Sequence, residues 1–367
     1  MATDPWAIDT SQRPFVLIWE VTQACALACK HCRANAQPQR HPDELTTAEG
    51  KQLLDDIRIF GDGQLVVLSG GDPLARDDTV ELVDYGTDNG LRMTLTPSGT
   101  TSLTADRIQA LADAGLRRMA LSIDGGSAAA HDEFRQERGS FEQTLRAARD
   151  ARAAGVPIQI NTTVCADTVA ELPAIRDRVA ELGAVLWSVF FLVPVGRGRV
   201  LDPISPDCAE RVMEWLCTVG DDAPFGIKTT EAPHYRRVAI ERGRADHATR
   251  SPAPDGIGRR MGITAGNGFA FVSHTGELYP SGFLPQAAGN VKHEDVVDVY
   301  RESASFRRLR DPDALRGKCG ACEYRYVCGG SRSRAYAYTG DPLASDPLCA
   351  YIPDEYDEAP PDQQFTA

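Results

Sequence analysis

The sequence predicts an α/β fold: an open barrel of six strand–helix units, followed by a small cysteine-rich domain. Three observations point to it. Six apolar, β-branched runs alternate with helical patterns at a period of about 30–35 residues, the spacing of strand–helix–strand units. Gly90, Gly115, Gly155 and Gly183 each follow the end of a helical pattern. The ten cysteines are clustered, with three at 25–32 and four at 319–349.

The strands read as "PFVLIWEV", "QLVVLSG", "LRMTLTPS", "LRRMALSID", "PIQINTTV" and "VLWSVFFLVPV". Helical patterns lie between them, near 47–60, 78–90, 104–115, 140–155 and 168–183, and Thr46 or Thr47 can cap the first. Continuous apolar strands imply a parallel sheet covered by helices. Six units make a partial, TIM-like barrel instead of a closed eightfold one, with the chemistry at the C-terminal strand ends. A helix is expected near 205–219, and residues 221–262, rich in Pro, Gly, Arg and Asp, read as a linker and insertion. "GFAFVSHTGELYPSGFLP" (268–285) reads as a hairpin around "HTGE", and 293–311 as an amphipathic helix. The expected organisation is therefore an N-terminal extension (1–14), the barrel (15–220), the linker and insertion (221–267), the cysteine-rich domain (268–352) and an acidic tail (353–367).

Composition narrows the function classes. The chain has 367 residues, 42% hydrophobic and 25% charged, which suits a globular enzyme. Its net charge of −13 makes a nucleic-acid surface a poor expectation. No apolar run approaches the roughly 20 residues that span a bilayer, and "MATDPWAIDT" lacks the features of a secretory signal. A cytoplasmic protein without membrane or nucleic-acid partners is expected. There, clustered cysteines bind metal or do chemistry more often than they form disulfides.

"EVTQACALACKHCRA" (20–34) follows the first strand and holds Cys25, Cys29 and Cys32 in a C-x3-C-x2-C pattern. Three thiolates on a four-iron cubane leave one iron without a protein ligand, and an open position is what chemistry on a bound molecule needs. A zinc loop is the alternative reading. The pattern and its place resemble the radical S-adenosylmethionine (SAM) superfamily. The resemblance implies that the open iron of a [4Fe–4S] cluster chelates SAM, whose one-electron cleavage gives a 5′-deoxyadenosyl radical that abstracts hydrogen from a substrate.

Further strand ends carry the resemblance. Gly70, Gly71, Asp72 and Pro73 resemble the family's Gly-Gly-Glu-Pro turn, which holds the SAM amino group; Asp72 shortens the usual Glu. By the same resemblance Ser98 contacts the SAM carboxylate, Ser122 and Asp124 face SAM or substrate, Asn161 contacts the ribose, and the Val195 backbone pairs with adenine. His31 stands where the family often has an aromatic residue beside the adenine. Taken singly, each of these suits an ordinary strand-end turn; all lie at one edge of the inferred sheet.

Cys319, Cys322, Cys328 and Cys349 have gaps of two, five and twenty. Four thiols close a [4Fe–4S] site or a structural zinc site. The segment resembles the SPASM/twitch extension of radical SAM enzymes. A full SPASM domain holds two auxiliary clusters, but here Ser281 stands where the motif opened by Gly276 carries a cysteine, and Arg332 where the downstream run carries its fourth. One auxiliary cluster is therefore expected, with an electron-transfer role. Cys165, Cys208 and Cys217 read as small core or surface residues.

For the substrate, His234, Tyr235, Arg236 and Arg237, with Arg197 and Arg199 nearby, suggest a cap over an anionic group, because arginine binds carboxylates bidentately. A solvated charged loop is the plain alternative. The whole layout resembles the radical SAM enzymes of the alternative haem (haem b and haem d1) pathways. That implies hydrogen abstraction from a tetrapyrrole propionate, with loss of CO2 and one electron, and a reductant such as flavodoxin or ferredoxin. The alternatives are a peptide-modifying or small-molecule enzyme and a non-enzymatic iron–sulfur or zinc module. With the first strand near residue 15, no N-terminal peptide-recognition domain is expected.

Overall fold

The structure, a computed structural model of the chain, describes residues 9–244 and 263–356. Much of the expected N-terminal extension and acidic tail, and the middle of the expected insertion, lie outside those residues.

The six expected strands are β1 (Val16–Thr22), β2 (Leu65–Gly70), β3 (Arg92–Leu95), β4 (Arg118–Ser122), β5 (Ile158–Val164) and β6 (Leu186–Phe191), each paired in parallel with the next. Helices α1 (Thr47–Arg58), α2 (Thr79–Asp88), α3 (Ala105–Asp113), α4 (Ala128–Arg135), α5 (Ser140–Ala153) and α6 (Leu172–Glu181) connect them. The α/β partial barrel is thus as expected. Thr46 caps α1 through a reciprocal capping box with Glu49. Buried Leu53, Leu54 and Ile57 of α1 join Leu17, Trp19 and Val21 of β1 in the main core. On β1 the intervening Glu20 is also buried, although it carries a charge.

The sheet continues past the six units. After α7 (Pro206–Asp222), β7 (Gly226–Thr230) pairs in parallel with β6, and α8 (Tyr235–Glu241) follows it. Residues 226–241, expected within a linker and insertion beside a probable strand, are a strand and a packed helix. At the other edge, β8 (Phe269–Val272) pairs in parallel with β1, and β9 (Glu277–Tyr279) completes the expected hairpin before β10 (Gly289–Asn290). Among the described residues one ten-stranded sheet results, ordered β10-β9-β8-β1-β2-β3-β4-β5-β6-β7. The amphipathic stretch 293–311 is two helices, α9 (Val296–Glu302) and α10 (Ala304–Arg310), parted at Ser303. Two short helices, α11 (Gly317–Ala321) and α12 (Arg332–Thr339), frame the last cysteines.

Candidate active site

The cysteine loop leaves the C-terminal end of β1 and is closed at its base. The Cys25 N–H donates to Gln37 O (2.8 Å) and the Gln37 N–H to Gln23 O (3.0 Å). The Gly70–Gly71 turn lies directly against this base: Gly71 N–H donates to Thr22 O (2.8 Å) and Asp72 N–H to Ala24 O (2.7 Å). A Cβ at Gly71 would stand 2.4 Å from Ala24 O, so only glycine allows this approach. From the far side of the sheet, the Arg197 N–H donates to Cys32 O (3.0 Å). Its guanidinium donates to Cys29 O (3.0 Å) and Ala36 O (2.9 Å). Arg197, expected at a substrate, staples the loop.

The three sulfurs each meet an N–H donor. Leu27 N–H lies 3.3 Å from Cys25 Sγ, Ala36 N–H 3.5 Å from Cys32 Sγ, and Arg135 Nη1 3.6 Å from Cys29 Sγ. Burial pushes the Cys25 thiol up as a free group. The donors favour the thiolate that a bound cluster requires. Arg135 ends α4, a helix that the sequence reading passed over. Ser127 as its cap and the "AAA" run were the available signals. Its guanidinium also sits 2.9 Å from Asp124, which is buried. Asp124 further accepts from Thr163 N–H (2.7 Å). This residue, expected to face SAM or substrate, instead holds the arginine beside the cluster loop.

The other strand-end residues gather at the same edge, with roles that differ in detail. Ser98 Oγ lies 3.5 Å from Cys25 Sγ and donates to Gly71 O (3.0 Å), linking three motifs. The Asp72 carboxylate is buried and accepts from Ser98 N–H, Leu74 N–H, Thr100 Oγ1 and Ser102 Oγ at 2.9–3.3 Å. The shorter acid therefore organises the turn. The Val195 N–H donates to Val193 O and its carbonyl accepts from Gly198 N–H, so both groups expected at adenine are engaged in the turn. Ser122 and Asn161 pair across β4 and β5, and both are partly exposed. Pro73 opens a short helical turn capped by Asp72. His31 stacks on Phe134 (4.8 Å between rings), and burial lowers its pKa to about 4, so it is neutral.

Cys319, Cys322, Cys328 and Cys349 line one cavity together with His234. Two of the four sulfurs also accept N–H donors. Cys319 takes Arg332 Nη2 and Asp346 N–H, both at 3.4 Å, and Cys328 takes Gly330 N–H at 3.4 Å. His234 is fully buried against the cavity and both ring nitrogens are without a hydrogen-bond partner, which suits an acceptor-rich group filling the space. Ser281 donates to Glu231, as do Ser331 and Ser333. The Glu231 carboxylate is thus held among three hydroxyls.

The expected anion cap is corrected by the geometry. Arg237 is buried and binds Glu210 and Glu241; Arg236 donates to Val327 O (3.0 Å) and Ile263 O (2.6 Å); Tyr235 is buried in the main core. These side chains join α8 to its surroundings, because a chain that packs as a helix spends its cations on neighbours.

Comparison with known proteins agrees with this layout. Residues 19–178 match the radical SAM superfamily. An AdoMet-dependent heme synthase of Methanosarcina barkeri is 41% identical over 94% of this chain and 99% of its own length. The AdoMet-dependent heme synthase of Nitratidesulfovibrio vulgaris is 41% identical over 92% of each chain. Streptococcus suis SuiB bound to S-adenosylmethionine shares the fold, with a TM-score of 0.70 at 16% identity over 93% of this chain and 78% of that one. A [4Fe–4S] cluster and SAM are the cofactors of the matched family, and the thiol triplet with its donors fits them. An end-to-end relative at this identity, and a family match that runs through the cysteine loop, make this chain an enzyme of the radical SAM superfamily.

Proposed function

We propose that the chain oxidatively decarboxylates propionate side chains of a tetrapyrrole. The relatives named AdoMet-dependent heme synthase, aligned along nearly the whole chain, carry this reading. Cys25, Cys29 and Cys32 hold the cluster that binds SAM; the pair supplies removal of one hydrogen atom from the substrate. A propionate that has lost a hydrogen atom and then CO2 must still give up one electron to become a vinyl group. Cys319, Cys322, Cys328 and Cys349 hold one auxiliary [4Fe–4S] cluster that accepts it. The donors to Cys319 and Cys328 support this, and the Glu231–serine contacts support one auxiliary cluster instead of two. The C-terminal region is a SPASM/twitch-like domain by this reading.

Within the barrel, Arg135, Arg197 and the Gly71 turn fix the cysteine loop, while Ser98, Ser122 and Asn161 line the strand ends where SAM sits. The enzyme works in the cytoplasm, where its ten cysteines stay out of disulfides, with flavodoxin or ferredoxin as electron donor. Among the described residues no helix is long and apolar enough to cross a membrane.

The test is anaerobic reconstitution with SAM, dithionite and an iron-coproporphyrin, with products read by mass spectrometry. Stepwise loss of CO2 and hydrogen is expected. Formation of 5′-deoxyadenosine without any decarboxylated porphyrin would move the substrate to a peptide or another small molecule. No 5′-deoxyadenosine from the wild type, or wild-type cleavage in Cys29→Ala, would overturn the assignment of the thiol triplet.

A further inference from the structure

Arg332 stands at the position where the cysteine run would carry its next member, yet it is not a surface residue. Its side chain is buried at 2% exposure at the start of α12. Nη1 donates to the carbonyls of Pro342 and Ala344, both at 2.8 Å, and Nε to Gly330 O at 3.3 Å. The remaining edge presents Nη2 to Cys319 Sγ at 3.4 Å. Gly330, at φ +65°, makes room for this contact: a Cβ there would lie 2.5 Å from Arg332 Nη2 and 3.0 Å from Cys319 Sγ. Among the described residues, Arg332 has no carboxylate within ion-pair distance, whereas its neighbour Arg334 is paired with Asp346 (3.1 Å).

A guanidinium cannot lose its charge, and a buried cation without a counter-ion is strongly disfavoured. Arg332 therefore needs negative charge at the four-thiol cavity, and the only group it offers a free edge to is a cluster ligand. Hydrogen bonds to ligand sulfurs and nearby positive charge both stabilise the reduced, more negative form of an iron–sulfur cluster. We infer that Arg332 is a positioning residue that raises the reduction potential of the auxiliary cluster by directing its charge and one N–H at Cys319. The inference rests on the reading of that site as iron–sulfur. It gives the arginine a role beyond replacing a ligand: the same substitution that removes a second cluster makes the remaining one a better electron acceptor.

The test uses the full chain, anaerobically reconstituted, with Cys25, Cys29 and Cys32 replaced by alanine so that one cluster is titrated alone. Iron content is measured first: about four irons per chain are expected. Zinc without iron at this stage would overturn the underlying reading before any Arg332 variant is made. Arg332→Met and Arg332→Lys are then compared by redox titration followed by electron paramagnetic resonance. Arg332→Met should shift the midpoint to lower potential, and Arg332→Lys, which keeps the charge, should shift it less. An unchanged midpoint in an iron-replete Arg332→Met protein overturns the inference. Should that variant not hold iron, Arg332→Gln, which keeps a donor without the charge, is titrated instead, and a wild-type midpoint there overturns it equally.

Discussion

Gly71→Ala is the substitution that tests most directly how the cysteine loop is held. The new Cβ would meet Ala24 O at 2.4 Å and Gln23 O at 2.6 Å. Ordinary contact begins near ~3.4 Å, so the two backbones must part by roughly 1 Å. Both obstacles are main-chain atoms, and both belong to the segment that carries Cys25. The turn is also tied to Ser98, whose hydroxyl donates to Gly71 O (3.0 Å). Overpacking of this kind costs about 1–3 kcal/mol, or a few degrees in Tm. Misplacement of a reacting group by ~1 Å costs on the order of 10²-fold in rate. The expected outcome is thus a modest loss of stability with a roughly hundredfold loss of 5′-deoxyadenosine formation. The assay is product release from reconstituted protein, with iron per chain measured on the same sample. Gly90→Ala is the control. Gly90 has φ +80° and nothing within 4 Å of an added Cβ, so it loses stability through backbone strain alone and keeps its cleavage rate. Iron-replete Gly71→Ala that cleaves SAM within twofold of wild type would refute the argument.

The remaining predictions concern charge, pH and the second site. Arg135→Leu strands the Asp124 carboxylate, which lies 2.9 Å from it in the native protein; a loss of about 3–5 kcal/mol by urea denaturation is expected, partly restored by adding Asp124→Asn. A loss that the double variant leaves unchanged would show that the pair does not hold the loop. His131 has its pKa lowered to about 4, chiefly by burial. The unfolded chain takes up its proton near pH 6.5 while the native form stays neutral, so stability is full above pH 6.5 and falls by up to about 3 kcal/mol as pH drops toward 4. His131→Asn should flatten that slope in denaturation series at stepped pH; an identical slope removes His131 as its source. Cys322→Ala should leave SAM cleavage less affected than turnover of the true substrate, with iron falling from about eight to about four per chain. Equal loss of both activities would make the C-terminal site structural.

The sequence carried the barrel and the cysteine loop well because their signals are local. Strand runs, helix-closing glycines and the C-x3-C-x2-C spacing are each visible within one window. Non-local pairing was not legible. Nothing in "GFAFV" tells that β8 lies beside β1 instead of in a separate sheet, since that choice is made by a partner some 250 residues away. The segment at 226–241 was hidden for another reason: its arginines look like a solvated loop until Glu210 and Glu241 are seen to receive them. Asp72 shows the limit of motif reading. The residue falls where the resemblance places an acid, and its carboxylate accepts from Ser98, Thr100 and Ser102. Arg135 could have been found from the Ser127 cap, but its approach to Cys29 follows only from how α4 packs across the strand ends.

The pairing of β8 with β1 has a mechanical meaning. Main-chain hydrogen bonds join the strand that leads into one set of thiols to the hairpin that leads toward the other, and Arg33 reinforces the seam by reaching both Glu20 and Gly282 O. The cysteine loop and the hairpin are thereby parts of one continuous sheet, and the hairpin cannot move away from β1 without breaking main-chain hydrogen bonds.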